Sequence, residues 1–161
     1  MAGESPDRPV LFCFDGSEGS RHAMRAIVEL IDRPVDAVVL TIWETLATRL
    51  ARTGAFVPGS AAAGADLDSE EESYAKSIAE EGALRLNEHG YRASALTRES
   101  LEGVAQAILE TADELSARLI VCGQRGRGLI RSALLGSVSH ALASHARRPV
   151  LIAPEASANG S

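Results

Sequence analysis

The sequence predicts a single α/β domain: a five-stranded parallel sheet with helices on both faces. Three observations predict it. Short apolar runs of strand length recur along the 161 residues, segments with apolar residues at helical spacing separate them, and most of the runs are continuously apolar, as strands covered on both faces are. Apolar residues make up 45% of the chain, enough for one proper core without metals or disulfides.

The elements follow in order. "PVLFCF" (Pro9 to Phe14) is the first strand, broken by Asp15, Gly16 and Ser17. After Ser17, a suitable N-cap, Ala23, Ile27, Leu30 and Ile31 recur at helical spacing until Pro34 stops the helix. "DAVVLTIW" (Asp36 to Trp43) is a second buried strand, which completes a βαβ unit. From Glu44 to Ala65 the composition turns to Ala, Gly, Pro and Ser, and this reads as a long variable loop whose first part, "TLATRLARTGAF", has the makings of a short helix. A long helix is predicted from Asp68 to His89, apolar at Ala75, Ile78, Ala79, Ala83 and Leu86, with Gly90 as its stop. "YRASALTR" (Tyr91 to Arg98) alternates like an edge strand. A third helix spans Glu102 to Ala117. "RLIVCG" and "RPVLIAP" are the last two strands, with the helix "SVSHALASHA" between them. The domain is taken as 8–155, followed by a polar tail, 156–161, expected to be disordered.

This order of strands and helices implies right-handed crossovers and a ligand site at the carboxyl ends of the strands, where the strand order reverses. Asp15, at the end of strand one, and Gly123, at the end of strand four, are natural neighbours if those two strands flank the switch point.

Charge and composition exclude several classes. The net charge of −6 argues against a general nucleic-acid or membrane-surface partner. No run of about 20 uncharged apolar residues exists to cross a membrane. "MAGESPDRPV" lacks the basic start and apolar stretch of a signal peptide, so a cytoplasmic protein is expected. Cys13 and Cys122 stand in separate apolar runs with no metal-ligand spacing and read as buried reduced thiols.

The chemistry concentrates in "GQRGRGLIRSALLGSVSHAL" (Gly123 to Leu142). Gly123, Gly126 and Gly136 follow the spacing G-x2-G-x9-G, with Ser137 next. A phosphate needs several N–H donors converging on one point, and glycine lets the backbone turn inward with no side chain in the way. Ser137 opens a helix whose first amides are unpaired and whose dipole favours negative charge. Arg125, Arg127 and Arg131 add a local basic cluster suited to a small anion. The glycines alone leave a second reading open, a glycine-rich connection with a serine N-cap.

Together with "VLFCFDGSEGSRHAMRAIVEL" and the closing "RPVLIAP", this motif resembles the ATP-binding branch of the universal stress protein family. The resemblance runs from Pro9 to Pro154 except for the Glu44 to Ala65 loop. It implies a Rossmann-like fold of the adenine nucleotide alpha hydrolase-like type. It also implies that Asp15 contacts the nucleoside, that Cys13 lies where the first strand passes the adenine, and that Ile42 packs beside that base. Gly123, Gly126, Gly136 and Ser137 match the groups that bind ribose and phosphates, while Gln124, Arg125 and Arg127 fall at variable positions. Cys13 departs from the commoner residues at its place. The implied ligand is ATP with Mg2+, and the implied assembly is a homodimer through the last strand, Pro149 to Pro154.

Other chemistries lack their residues. There is no GxxxxGK[ST] P-loop, "GRGLIR" fails G-x-G-x-x-G at its last position, and no G-x-S-x-G elbow occurs. No catalytic residue and no metal site can be assigned; at most a weak ATPase is expected. His140 and His145, five apart, turn to different faces of a helix, and neither His22 nor His89 has a partner at ligand spacing. "DLDSEEES" lacks the loop glycine of an EF-hand and reads as a helix start. A phosphoacceptor domain wants an acidic pair after strand one, an aspartate after strand three and a lysine after strand five; here stand Asp15, Glu99 and Pro154. Two readings are carried forward: an adenine-nucleotide-binding sensor in stress response, and an interaction module of the same fold that works without nucleotide.

Overall fold

The computed structural model describes residues 8–31, 35–54, 61–126 and 135–155. Among these residues, five strands are joined by single helices except between β2 and β3, where two follow one another: β1 (Val10–Cys13), α1 (Glu18–Leu30), β2 (Asp36–Trp43), α2 (Leu46–Thr53), α3 (Ala61–Glu88), β3 (Arg92–Glu99), α4 (Val104–Glu114), β4 (Leu119–Gly123), α5 (Ser137–His145) and β5 (Val150–Ala153). The sheet is parallel with order β3-β2-β1-β4-β5. The chain builds outward from β1 in one direction, then returns to the other side of β1 with β4, so the order reverses between these two strands.

The two apolar faces of the sheet are covered separately. Val10, Phe12, Phe14, Val39 and Val121 pack with Ala23, Met24 and Ile27 of α1 and Ile78, Ala83 and Leu86 of α3. Leu11, Leu40, Ile120 and Cys122 pack with Ile108 and Ala112 of α4 and Leu142 of α5. Right-handed crossovers require this division once the chain reverses across β1. Each buried Leu, Ile or Phe in these layers contributes about 1.5–3 kcal/mol through burial.

Local signals set the element ends. Ser17 caps α1 as its side chain accepts from the Ser20 amide. Gly90, at φ +82°, carries the chain out of α3 in the left-handed region that glycine tolerates. Arg148 closes the end of α4, donating to the carbonyls of Ala112 and Ala117 at 2.6 Å each.

The stretch from Glu44 to Ala65 is more helical than its composition suggests. Residues 46–53 form α2, capped by Thr45 and ended by Gly54 at φ +72°. α3 begins at Ala61, seven residues before the predicted Asp68. The four alanines among residues 61–65 are strong helix formers, and the helix they extend is anchored downstream by Ala75, Ile78 and Ala79. Reading small residues as a sign of loop missed this. The tail 156–161 lies outside the described residues.

Candidate functional site

The site is built where β1 and β4 run side by side, with Phe12 beside Val121. Asp15 follows β1, and its Oδ1 accepts the Ser17 amide at 3.0 Å, a side-chain-closed turn of the kind aspartate favours. Gly16 takes φ +73° within that turn. Arg21 donates to the Gly16 carbonyl and, at 3.1 Å, to Glu81 of α3, so the turn is held from the adjoining helix.

The glycine loop leaves β4 and comes directly against this turn. A Cβ on Gly126 would lie 2.7 Å from Asp15 Oδ2. The distance is below any ordinary contact, so a side chain here would have to displace the Asp15 carboxylate from its present position. Gly123 meets α1 in the same way: a Cβ there would lie 2.7 Å from the Gly19 carbonyl carbon and oxygen. Gly136 closes the loop from the other side, its amide donating to the Gln124 carbonyl at 3.0 Å. Gly136 is itself the N-cap of α5, and Ser137 is the first helical residue, exposed. The hydroxyl of Ser137 therefore does not occupy the capping position.

Two residues that sequence reasoning missed complete the neck of the loop. Ser139 donates to the carbonyls of both Gln124 and Gly136, at 2.8 and 3.0 Å, and is buried. Gly19 lies in the first turn of α1, where a Cβ would stand 2.4 Å from the Arg125 carbonyl oxygen. Its signal was present in "DGSEGS": a glycine inside a helix costs about 0.5–1 kcal/mol relative to alanine, and such a cost marks a close approach. Ser139 had no comparable signal, because a serine in a helix is ordinary.

Cys13 and Ile42 belong to the other flank. Both lie against the Leu40, Ile120 and Cys122 layer, on the same face of the sheet. The structure thus brings Asp15, Gly123, Gly126 and Gly136 together with Ser137 at the loop's end, while Ile42 stands on β2, two strands from β4. Cys13 is half-buried and Cys122 buried, both as free thiols. Burial, then the neighbouring Cys122 and Asp15, push the Cys13 thiol well above its ordinary range, and burial pushes Cys122 up to about 11. Neither is a ready thiolate.

The remaining candidates separate from the site. His140 is exposed, and the His145 ring bonds the Ala141 carbonyl of its own helix. Arg127 and Arg131 lie outside the described residues, while Arg125 pairs with Glu155 at 3.1 Å. A hollow of about 310 Å3 between α2 and α3 is lined by Glu44, Asp68, Glu70 and Glu71, which outnumber the Arg49 that pairs with Glu71. Its acids repel phosphate, so its size does not make it the anion site. Among the described residues, no three His, Cys, Asp or Glu side chains gather as metal ligands. No described helix is long and apolar enough to cross a membrane.

A parallel sheet that reverses between β1 and β4, with Gly126 set against Asp15 at the reversal, is the architecture of a doubly wound α/β protein. A model of the universal stress protein family matches residues 7–154, and the chain belongs to that family. A universal stress protein of Mycobacterium tuberculosis is 41% identical over 75 residues, 45% of this chain and 22% of the relative. The matched part is thus under a quarter of that relative's length. Among solved structures, UspA of Lactobacillus plantarum aligns with a TM-score of 0.74 at 17% identity, over 90% of this chain and 96% of that one. A universal stress protein family member of Arabidopsis thaliana, solved with AMP bound, aligns with a TM-score of 0.64 at 13% identity, over 92% of each chain. At these identities the structural likeness speaks to the fold.

Proposed function

We propose that this universal stress protein binds an adenine nucleotide, ATP with Mg2+, between Asp15, Ile42 and the Gly123 to Ser137 loop. It would act in the cytoplasm as a nucleotide-occupied switch in stress response. The observation that carries the reading is the fit of Gly126 against Asp15. A side chain there would fill the place where a ribose or phosphate must meet both the carboxylate and the loop amides. The helix beginning at Ser137 supplies unpaired amides and a favourable dipole for the phosphates. Cys13 and Ile42 supply the apolar flank for the base. The AMP found in the Arabidopsis relative supports an adenine ligand on this fold.

A bound nucleotide brings its own charge, and its phosphates would supply most of the oxygen ligands of a Mg2+ ion, with the Asp15 carboxylate as the protein group that could add to them. No base or arginine finger for hydrolysis can be assigned, so the role proposed is binding. β5 is an edge of the sheet, and an edge strand without cover invites pairing with a copy of itself. A homodimer through Pro149 to Pro154 is part of the same proposal.

One observation favours a second reading. The lack of a side chain at Gly123 is required by its contact with Gly19, with no ligand involved. If the whole loop served packing alone, the protein would be a nucleotide-independent interaction module. Mass spectrometry of the purified protein, native and then denatured, followed by titration calorimetry with ATP and Mg2+, tests between them. Carried nucleotide or saturable binding supports the first reading; neither ligand nor heat overturns it.

A further inference from the structure

Asp15 stands between two backbone carbonyls that side chains from elsewhere in the fold hold in place. On one side, Thr41 of β2 donates its hydroxyl to the Phe14 carbonyl at 2.7 Å, while the Phe14 amide donates to the Leu40 carbonyl at 2.9 Å. The residue before Asp15 is thus tied to β2 at both of its backbone groups. On the other side, Arg21 donates to the Gly16 carbonyl, lies over the Phe14 ring at 6.0 Å from its centroid, and is itself fixed by Glu81 of α3. The residue after Asp15 is thus tied to α1. Thr41 is buried, at 5% exposure, in a strand whose other residues from Ala37 to Trp43 are all apolar, so burial alone would favour valine there. A buried hydroxyl needs a partner, and the one it takes is the carbonyl next to Asp15.

We propose that Thr41 and Arg21 are positioning residues for the carboxylate of Asp15. The inference rests on the adenine-nucleotide reading above, in which that carboxylate meets the nucleoside. Neither side chain needs to touch the ligand. Each removes freedom from the backbone on one side of Asp15, so the carboxylate is already set when the nucleoside arrives and less order has to be supplied on binding. Removing the Thr41 hydroxyl leaves the Phe14 carbonyl without that donor, and removing the Arg21 guanidinium releases the Gly16 carbonyl. β2 therefore serves the site twice, with Ile42 on the flank of the base and Thr41 on the set of the carboxylate.

The test is calorimetry with adenosine and with ATP and Mg2+ on the full chain, alongside urea unfolding, comparing wild type with Thr41→Val, Thr41→Ser, Arg21→Gln and Ile27→Val. Thr41→Val keeps the shape and removes the donor, and is expected to weaken both ligands about three- to tenfold, because the nucleoside is common to them. Thr41→Ser keeps the hydroxyl and should recover most of that loss. Arg21→Gln should weaken adenosine about two- to fivefold; adenosine is uncharged, so its loss reports position and not long-range attraction. Ile27→Val lowers stability from within the core and is expected to bind like wild type. Wild-type affinity in Thr41→Val overturns the role of Thr41, and wild-type affinity for adenosine in Arg21→Gln overturns that of Arg21. A serine variant no better than the valine variant overturns the donor role, and equal loss in Ile27→Val overturns positioning in favour of general loosening. Arg21→Gln, at a partly exposed residue, decides the matter should Thr41→Val not fold. No binding of either ligand by wild type overturns the reading of the site, and the positioning role with it.

Discussion

Gly126 stands against the carboxylate of Asp15, so close that a methyl group on it would fall 2.7 Å from Oδ2. The two residues come from different loops, one after β1 and one after β4, and meet where the sheet reverses. Gly126→Ala is expected to push the loop off Asp15 and to lower nucleotide affinity at least tenfold, with the circular dichroism spectrum unchanged. Calorimetry with ATP and Mg2+ checks this, and an unaltered affinity would sink the role given to this contact.

Gly136→Ala should be milder. Gly136 has φ −67°, which any residue adopts, and its added methyl would sit 3.3 Å from the Gln124 carbonyl. The expected cost is about 0.5–1 kcal/mol of stability, from alanine's poor N-cap preference, and a loss of affinity of only a few-fold. Equal loss in the two variants would show that the loop fails as a unit rather than at Asp15.

Gly19→Ala sets two effects against each other. Alanine in a helix gains about 1 kcal/mol over glycine, but a methyl 2.4 Å from a backbone oxygen must move the loop or the helix. Overpacking costs about 1–3 kcal/mol, so a net destabilisation is expected, read as a lower urea midpoint. A raised midpoint would mean that the loop yields freely.

The thiols should be unreactive in the folded chain. With Cys122 held at about 11, about one thiol in a thousand is ionised at pH 8, and Cys13 is raised as well. Labelling with a chromogenic disulfide at pH 8 is expected to be slow in buffer and complete for both residues in urea. Prompt reaction of the native protein would contradict the enclosed setting of this pair.

Acid should weaken the turn that carries Asp15. The hydrogen bond from Arg21, with help from Arg85, holds the Glu81 carboxyl below its usual 4.5. Its folded value is the lower one, so its contribution is complete above about 4.5 and is lost as pH falls through that folded value. Glu81→Gln should therefore flatten the loss of stability between pH 5 and 3. The difference should stay under about 1 kcal/mol because the pair is partly exposed. Identical acid slopes for variant and wild type would remove Glu81 from the account.

Legibility in the sequence was uneven for physical reasons. β2 was readable because "DAVVLTIW" is apolar at every position but Asp36 and Thr41 and rich in β-branched residues. α3 was not, because the alanines of residues 61–65 carry no apolar period and become helical by continuation from a buried segment. In the site, the glycine spacing pointed to Gly126, yet nothing local says that its neighbour is Asp15. Gly19 offered a faint signal, and Ser139 none.

The amino-acid order by itself determined the alternation of strands and helices, the turn at Asp15 and the glycine spacing, because periodicity, capping and turn chemistry act over a few residues. Tertiary structure decided which loops meet. Only the order β3-β2-β1-β4-β5 sets β1 beside β4 and brings Gly19, Asp15, Gly123 and Gly126 into contact. It also joins Glu155 to Arg125 across 30 residues of chain. Such contacts depend on how layers pack over long sequence separations, and no local preference encodes them.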